Sequence, residues 1–186
     1  MATVERPKAG SAGAREPQAG QRPSRGNGTG ITAAMSRYRR IGLDTVVFIY
    51  HLSNHSVYGR MTEELFGLIE SGRITAVTSS LALVEILARP KQLGHQAAVD
   101  SYRSALATFP NLELRRSDIA VTEQAADLRA RYRLSTPEAI QLATAVVDGA
   151  DAFLGNTPAL RAVRELDVHL LDDLLARRSS PSRSRA

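Results

Sequence analysis

The sequence predicts an α/β protein: three α/β/α layers around a mainly parallel central sheet of about five strands. One pattern leads there, and two features of composition bound the class. Short apolar runs of four or five residues alternate with longer stretches of helical period, the pattern of successive strand–helix–strand units. The 186 residues are 43% hydrophobic, enough for one core of ordinary size. Cysteine is absent, which excludes a disulfide framework and thiolate metal sites and fits a reducing compartment.

Residues 1–36 open with "MATVERPKAGSAGAREPQAG", rich in Gly, Pro, Ser and Ala and without an apolar period. Such a segment buries too little surface to offset its ordering entropy, so a disordered basic extension is expected. Met35, in "MSRYRRIGLDT", reads as a natural start. The folded domain is expected over 37–175, with a disordered basic tail at 176–186.

Within the domain, "RIGL" is a short strand ending at Asp44. "TVVFIYHL" and "GRMTEELFGLIESG" are helices, the second closed by Gly72. "ITAVT" is a strand rich in β-branched residues. "SSLALVEILA" starts a helix at a Ser cap and is expected to stop at Pro90. "GHQAAVDSYRSALATF" is a helix, "LELRR" a strand, "SDIAVTEQAADLRARY" a capped helix and "STPEAIQLATAVVDG" another. "DAFLG" is a strand, "PALRAVREL" a helix, and "DVHLL" the last strand.

Charge is unevenly spread. Residues 1–34 carry a net +3, 35–40 another +3 and 176–186 a net +4, whereas 41–175 carry −5. The ends are basic and the domain is acidic. No apolar run reaches the ~20 residues of a membrane span, and the N-terminus lacks a secretory core, so a cytoplasmic protein without membrane contact is expected.

In parallel sheets ligands bind beyond the carboxyl ends of the strands, so residues just after strands matter most. Asp44 follows the first strand; taken alone it reads as a helix cap. A haloacid-dehalogenase-type phosphotransferase needs a second Asp two residues on, where this chain has Val46. Glu85 lies inside the apolar helix "SSLALVEILARP", either paired with Arg89 or facing something positive. Ser135 and Glu138 fit a capping box, with Pro137 in the first turn. Asn156 and Thr157 follow "DAFLG" as neutral oxygen donors. Asp148 and Asp151 are assigned to a turn, Asp172 and Asp173 to solvated caps, and the four His residues to solvent. Phosphate-loop and nucleophile-elbow motifs are absent.

"IGLDTVVFIYHL", "TAVTSSLALVEILARP", "LRARYRLSTPEAIQLATAVVDGADAFLGNTPAL" and "LDVHLLDDL" together closely resemble the PIN domain in its VapC-type toxin branch, over residues 38–175. The resemblance implies a PIN-like fold and a metal-dependent endoribonuclease, the toxin of a type II toxin–antitoxin pair. It implies Asp44, Glu85 and Glu138 as ligands of Mg²⁺ (or Mn²⁺), with Asn156 and Thr157 completing the catalytic set. Its implied partners are an RNA substrate, a cognate antitoxin and a second copy in a homodimer. In this reading Glu85 faces a cation. Two departures stand out: Glu138 replaces the usual Asp, and Thr157 replaces an acid of a "TND"-like motif, which removes a hard ligand.

Arg39, Arg40, Arg161 and Arg164 flank these motifs and are expected to contact the RNA backbone. The first two helices of the domain are expected to offer apolar surface to the antitoxin. The competing class is a PIN-like RNA-binding or partner-binding module with weakened catalysis, favoured by Thr157. A small-molecule enzyme on an unrelated α/β fold has no cofactor motif in its support.

Overall fold

A computed structural model describes residues 30–179. Five parallel strands form one sheet in the order β3-β2-β1-β4-β5: β1 (Arg40–Leu43), β2 (Thr75–Ser79), β3 (Leu112–Arg115), β4 (Ala152–Gly155) and β5 (Asp167–Leu170). The central pairs run Ile41 beside Ala76 and Gly42 beside Phe153. The PIN-like α/β/α expectation holds.

Strand alternation divides the core between the two faces. Ile41, Leu43, Ala76, Ala152 and Leu154 face one apolar cluster. There they meet α1 (Gly30–Met35), α2 (Thr45–Leu52), α3 (Gly59–Glu70), α4 (Leu81–Gln92), α5 (Gln96–Thr108) and α8 (Leu171–Ser179). Val77 and Phe153 face the other, beneath α6 (Ile119–Tyr132) and α7 (Thr136–Val147). At Gly42 the approach is tight: a Cβ would stand 2.3 Å from the Ala145 Cβ and 2.7 Å from a Phe153 ring carbon.

Helix ends follow local chemistry. Ser135 and Glu138 close a reciprocal capping box on α7, and Asp118 accepts from the Val121 N–H at the start of α6. Gly72 ends the α3 region with a left-handed backbone, φ 72°.

Four expectations need correction. The disordered extension assigned to 1–36 does not hold for 30–35, which form α1; its Ile31 and Met35 are fully buried in the core. The rest of that segment, 1–29, lies outside the described residues. Likewise the tail assigned to 176–186 begins inside α8; 180–186 lie outside the described residues. Pro90 does not stop α4, because it sits in the last turn, buried, with its carbonyl accepting from the His95 N–H at 2.9 Å. "PALRAVREL" folds only as a 3-10 turn over Pro158–Ala162.

At the end where the strands begin, Asp148 is gripped by Arg40 and by Arg115 at 2.8 Å. Arg40 also reaches Glu113 at 2.6 Å, and Arg115 reaches Asp118 at 3.1 Å. Asp151 accepts the N–H groups of Arg39 and Arg40 at 2.8 and 3.0 Å. The turn role expected for Asp148 thus becomes an ionic clasp between α7, β1 and β3, while Asp151 ties the turn before β4 to the start of β1.

The burial of α1 is testable. Ile31→Ala is expected to destabilise the protein by about 2–5 kcal/mol, as for other buried Ile and Leu truncations, whereas exposed Ala33→Ser leaves stability unchanged. Urea unfolding of the full chain measures both.

Candidate active site

The mouth where the strands end is built around Asp44. Its N–H donates to the Leu154 carbonyl at 2.9 Å, fixing it between β1 and β4. Gly155 leaves room for the carboxylate: a Cβ there would stand 3.0 Å from Asp44 Oδ2. Asp44 takes the N-cap place of α2 without closing a side-chain cap hydrogen bond of ordinary geometry, and it is only 9% exposed.

Its electrostatics are unusual for a cap. Burial, then the nearby charge of Glu85 and to a smaller extent that of Glu138, push the Asp44 carboxyl up to about 6. The Thr45 and Val46 N–H groups offset only part of this. The three acids expected from sequence are therefore electrostatic neighbours.

They are not equivalent. Glu85 stands on the exposed face of α4, and among the described residues no ion pair joins it to Arg89. Glu138 is partly turned into its own helix start, accepting from the Ser135 N–H at 2.8 Å. Burial pushes its carboxyl up, but hydrogen bonds from Ser135 and from the Thr157 hydroxyl outweigh that and hold it below the usual range. Among the described residues, no three His, Cys, Asp or Glu side chains stand close enough to hold a metal ion. The expected ligand trio is thus a neighbourhood rather than a closed cage. Asp44 and Glu85 still fit a hard cation, since they supply oxygen donors and a surplus of negative charge, and Mg²⁺ commonly uses only one or two carboxylates.

Asn156 and Thr157 border this centre in different ways. The Asn156 side chain accepts the Asp172 N–H at 3.0 Å and donates to the Asp172 carboxylate at 3.4 Å, so it ties β4 to the start of α8. Tyr58 adds its hydroxyl to the same carboxylate. Thr157 stands where the related motif carries an acid, and its hydroxyl helps to lower the Glu138 carboxyl.

Sequence reasoning missed Gln141, which lies 1% exposed on α7. Its Nε2 donates to Thr45 Oγ1 at 2.6 Å, and its Oε1 accepts from the Ser79 N–H and the Thr78 hydroxyl, both at 3.1 Å. It therefore pins α7 to the ends of β1 and β2 beside Asp44. A glutamine inside the apolar run "AIQLATAVV" was the available signal.

The expected backbone-contact arginines divide. Arg39 and Arg40 lie at the opposite end of the sheet, where β1 begins. Arg161 is paired with Asp173 at 2.8 Å, and an Arg164 guanidinium nitrogen donates to the Arg161 and Val163 carbonyls at 3.0 Å. Three of the histidines also depart from expectation: the His51 ring packs 4.3 Å from Phe66, His55 packs 4.6 Å from Tyr50, and His169 lies 2.8 Å from the Tyr38 hydroxyl, whereas His95 is exposed.

The raised Asp44 value fixes a pH dependence. The folded state holds this proton more tightly than the unfolded state, so stability falls as pH rises from about 4 to about 6 and then levels off. A rise from the ordinary carboxylate range to about 6 corresponds to about 3 kcal/mol at neutral pH. Asp44→Asn in EDTA is expected to be more stable than the parent above pH 6.5, by up to that amount, with the gain vanishing near pH 4. Denaturant midpoints across pH check this.

Comparison with known proteins places the fold and the family. No curated protein matches the chain significantly. A toxin–antitoxin complex from Klebsiella pneumoniae contains a chain of the same fold, with TM-score 0.54 and 20% identity over 68% of this chain and 94% of its own. VapBC2 from Rickettsia felis, crystallised with a DNA fragment from its promoter, matches with TM-score 0.55 and 16% identity over 70% of this chain and 98% of its own. Those identities speak for the fold. The sequence model of the PIN domain matches residues 41–165, which run from β1 past Asp44, Glu85, Glu138 and Thr157, and on that match the chain belongs to the PIN domain family.

Proposed function

We propose that this chain is a metal-dependent endoribonuclease hydrolysing RNA phosphodiester bonds, and the toxin of a VapC-type toxin–antitoxin pair. One observation carries the nuclease reading. A buried carboxylate at the end of the first strand is driven toward neutrality by burial and two further acids, in a family whose members are generally nucleases. A structural cap would not need those neighbours.

Asp44 and Glu85 would hold Mg²⁺ or Mn²⁺, which supplies Lewis acidity at the scissile phosphate when bound. Asp44 presents a carboxylate already shielded from water, and the Gly155 backbone keeps space open beside it. Gln141 holds Thr45 and the end of β2 in register, so the carboxylate does not drift. Glu138, held below the usual carboxylate range by Ser135 and Thr157, would accept a proton from an attacking water. Asn156 acts indirectly, by fixing Asp172 and the entry to α8.

The toxin reading rests on the two structural neighbours, both toxin–antitoxin complexes. A surface feature supports a protein partner. A groove of about 400 Å³ runs between α2, α4 and α5, with Ile49, Leu52, Ile86 and Leu93 among its apolar walls and Glu85 in its lining. An antitoxin segment lying there would also cover the acid centre. Of the helices expected to serve a partner, α2 contributes Ile49, whereas the apolar residues of α3 are spent on the core. We assign the chain to the cytoplasm and to a homodimer on the same footing.

A second reading, a PIN-like RNA-binding or partner-binding module, is favoured by Thr157 and by the engagement of Glu138 in its cap. Cleavage of a mixed RNA pool in Mg²⁺, Mn²⁺ or EDTA separates the two. The nuclease reading expects metal-dependent cleavage that falls at least about 100-fold in Asp44→Ala. Folded, antitoxin-free protein that cuts nothing with either metal establishes the binding module. Thr157→Asp is expected to raise the rate at low metal concentration, because it adds a hard ligand.

A further inference from the structure

The domain is acidic, so an RNA strand approaching the acid centre needs cations nearby. Arg39 and Arg40 stand at the wrong end of the sheet, and Arg161 is held by Asp173. A different pair lies at the end of α6, just before the start of α7. Arg129, in the last turn of α6, and Arg133, which caps that helix, line a surface depression of about 460 Å³ with Ala126, Ala130 and Leu134. Both are exposed. Among the described residues neither guanidinium has an ion-pair or hydrogen-bond partner, whereas Arg131 between them is taken by Glu165 at 2.6 Å.

Chain connectivity ties Arg133 to the start of α7, where Glu138 lies. Ser135, whose N–H donates to Glu138, follows Arg133 by two residues, a span of at most about 7 Å. The Arg133 backbone thus lies within two residues of the cap that holds Glu138.

The backbone adds an independent observation. Arg133 has a left-handed conformation, φ 55°, which glycine adopts freely and side chains bearing a Cβ adopt at a cost. Its N–H closes α6 on the Arg129 carbonyl at 2.9 Å, a cap that glycine makes equally well. The cap alone does not call for an arginine.

We propose that Arg129 and Arg133 form a phosphate-binding subsite that holds the backbone of single-stranded RNA next to the acid centre. The proposal rests on the RNA-nuclease reading and adds the surface by which the substrate is held. Such contacts fix the position of the strand and carry no sequence preference of their own.

The Arg133 backbone makes the test clean, because Arg133→Gly removes the guanidinium while relieving the left-handed turn. Full-length Asp44→Asn protein in EDTA is titrated with a labelled mixed-sequence single-stranded oligoribonucleotide over about 50 to 200 mM salt. Adding Arg129→Gln and Arg133→Gly is expected to flatten the slope of log affinity against log salt by about 1.4. The corresponding loss of affinity is about 25-fold at 0.1 M salt. The same charge change at a distance, Arg73→Gln with Arg103→Gln, is expected to leave the slope in place. An unchanged slope in the Arg129/Arg133 variant overturns the proposal, as does an equal loss in the distant control. If the unaltered protein cleaves RNA while the slope does not move, the subsite alone is wrong. If it neither binds nor cleaves RNA, the nuclease reading falls and takes the subsite with it.

Discussion

Helix α7 lies so close to β1 that no side chain fits between Gly42 and Ala145, and this approach organises the functional end of the molecule. Glu138, Gln141, Ala145 and Asp148 recur at intervals of three, four and three residues, so they share one face of the helix. From the mouth of the sheet to its base that face carries an acid at the site, an amide bonded to the strand ends, a methyl at the closest contact and an acid clasped by two arginines. Any substitution that lifts α7 off the sheet would move all four at once. The acids at the mouth depend on the spacing set by the smallest residues in the middle.

The same stripe explains where stability is given up. Burying Asp44 among like charges disfavours the fold, and the polar bonds of Gln141 hold the neighbouring chain against that repulsion without neutralising it. A site arranged this way is strained when empty of positive charge and relaxed by a cation or a protonated carboxyl.

Much of this was legible before the fold was known, because the signals were local. Asp44, the Ser135–Glu138 cap and the strands follow from residue type and period over a few positions. What escaped depended on tertiary context. The short α1, "GITAAM", has only two buried apolar anchors and gains its helix from packing on α3 and α8. Arg39 and Arg40 adjoin the Asp44 motif in sequence, yet a strand carries them to the opposite end of the sheet, so proximity along the chain misled. Gln141 looked like a polar interruption, and only the meeting of three elements gives its amide partners. Glu85 attracted notice as an acid in an apolar helix, and its exposed face shows that much of its oddity was apparent.

The ionic clasp at the base of the sheet has one more effect. Strand β3 lies at the sheet margin, with backbone groups on its outer side free to pair with another chain. Its sequence "LELR" sets Glu113 and Arg115 on one side, tied to Arg40, Asp118 and Asp148. A foreign strand docking at this margin would have to lie beside a lattice of fixed charges. The contacts that anchor α7 therefore also discourage edge-to-edge aggregation, a protection useful to a protein whose other surfaces include an apolar groove.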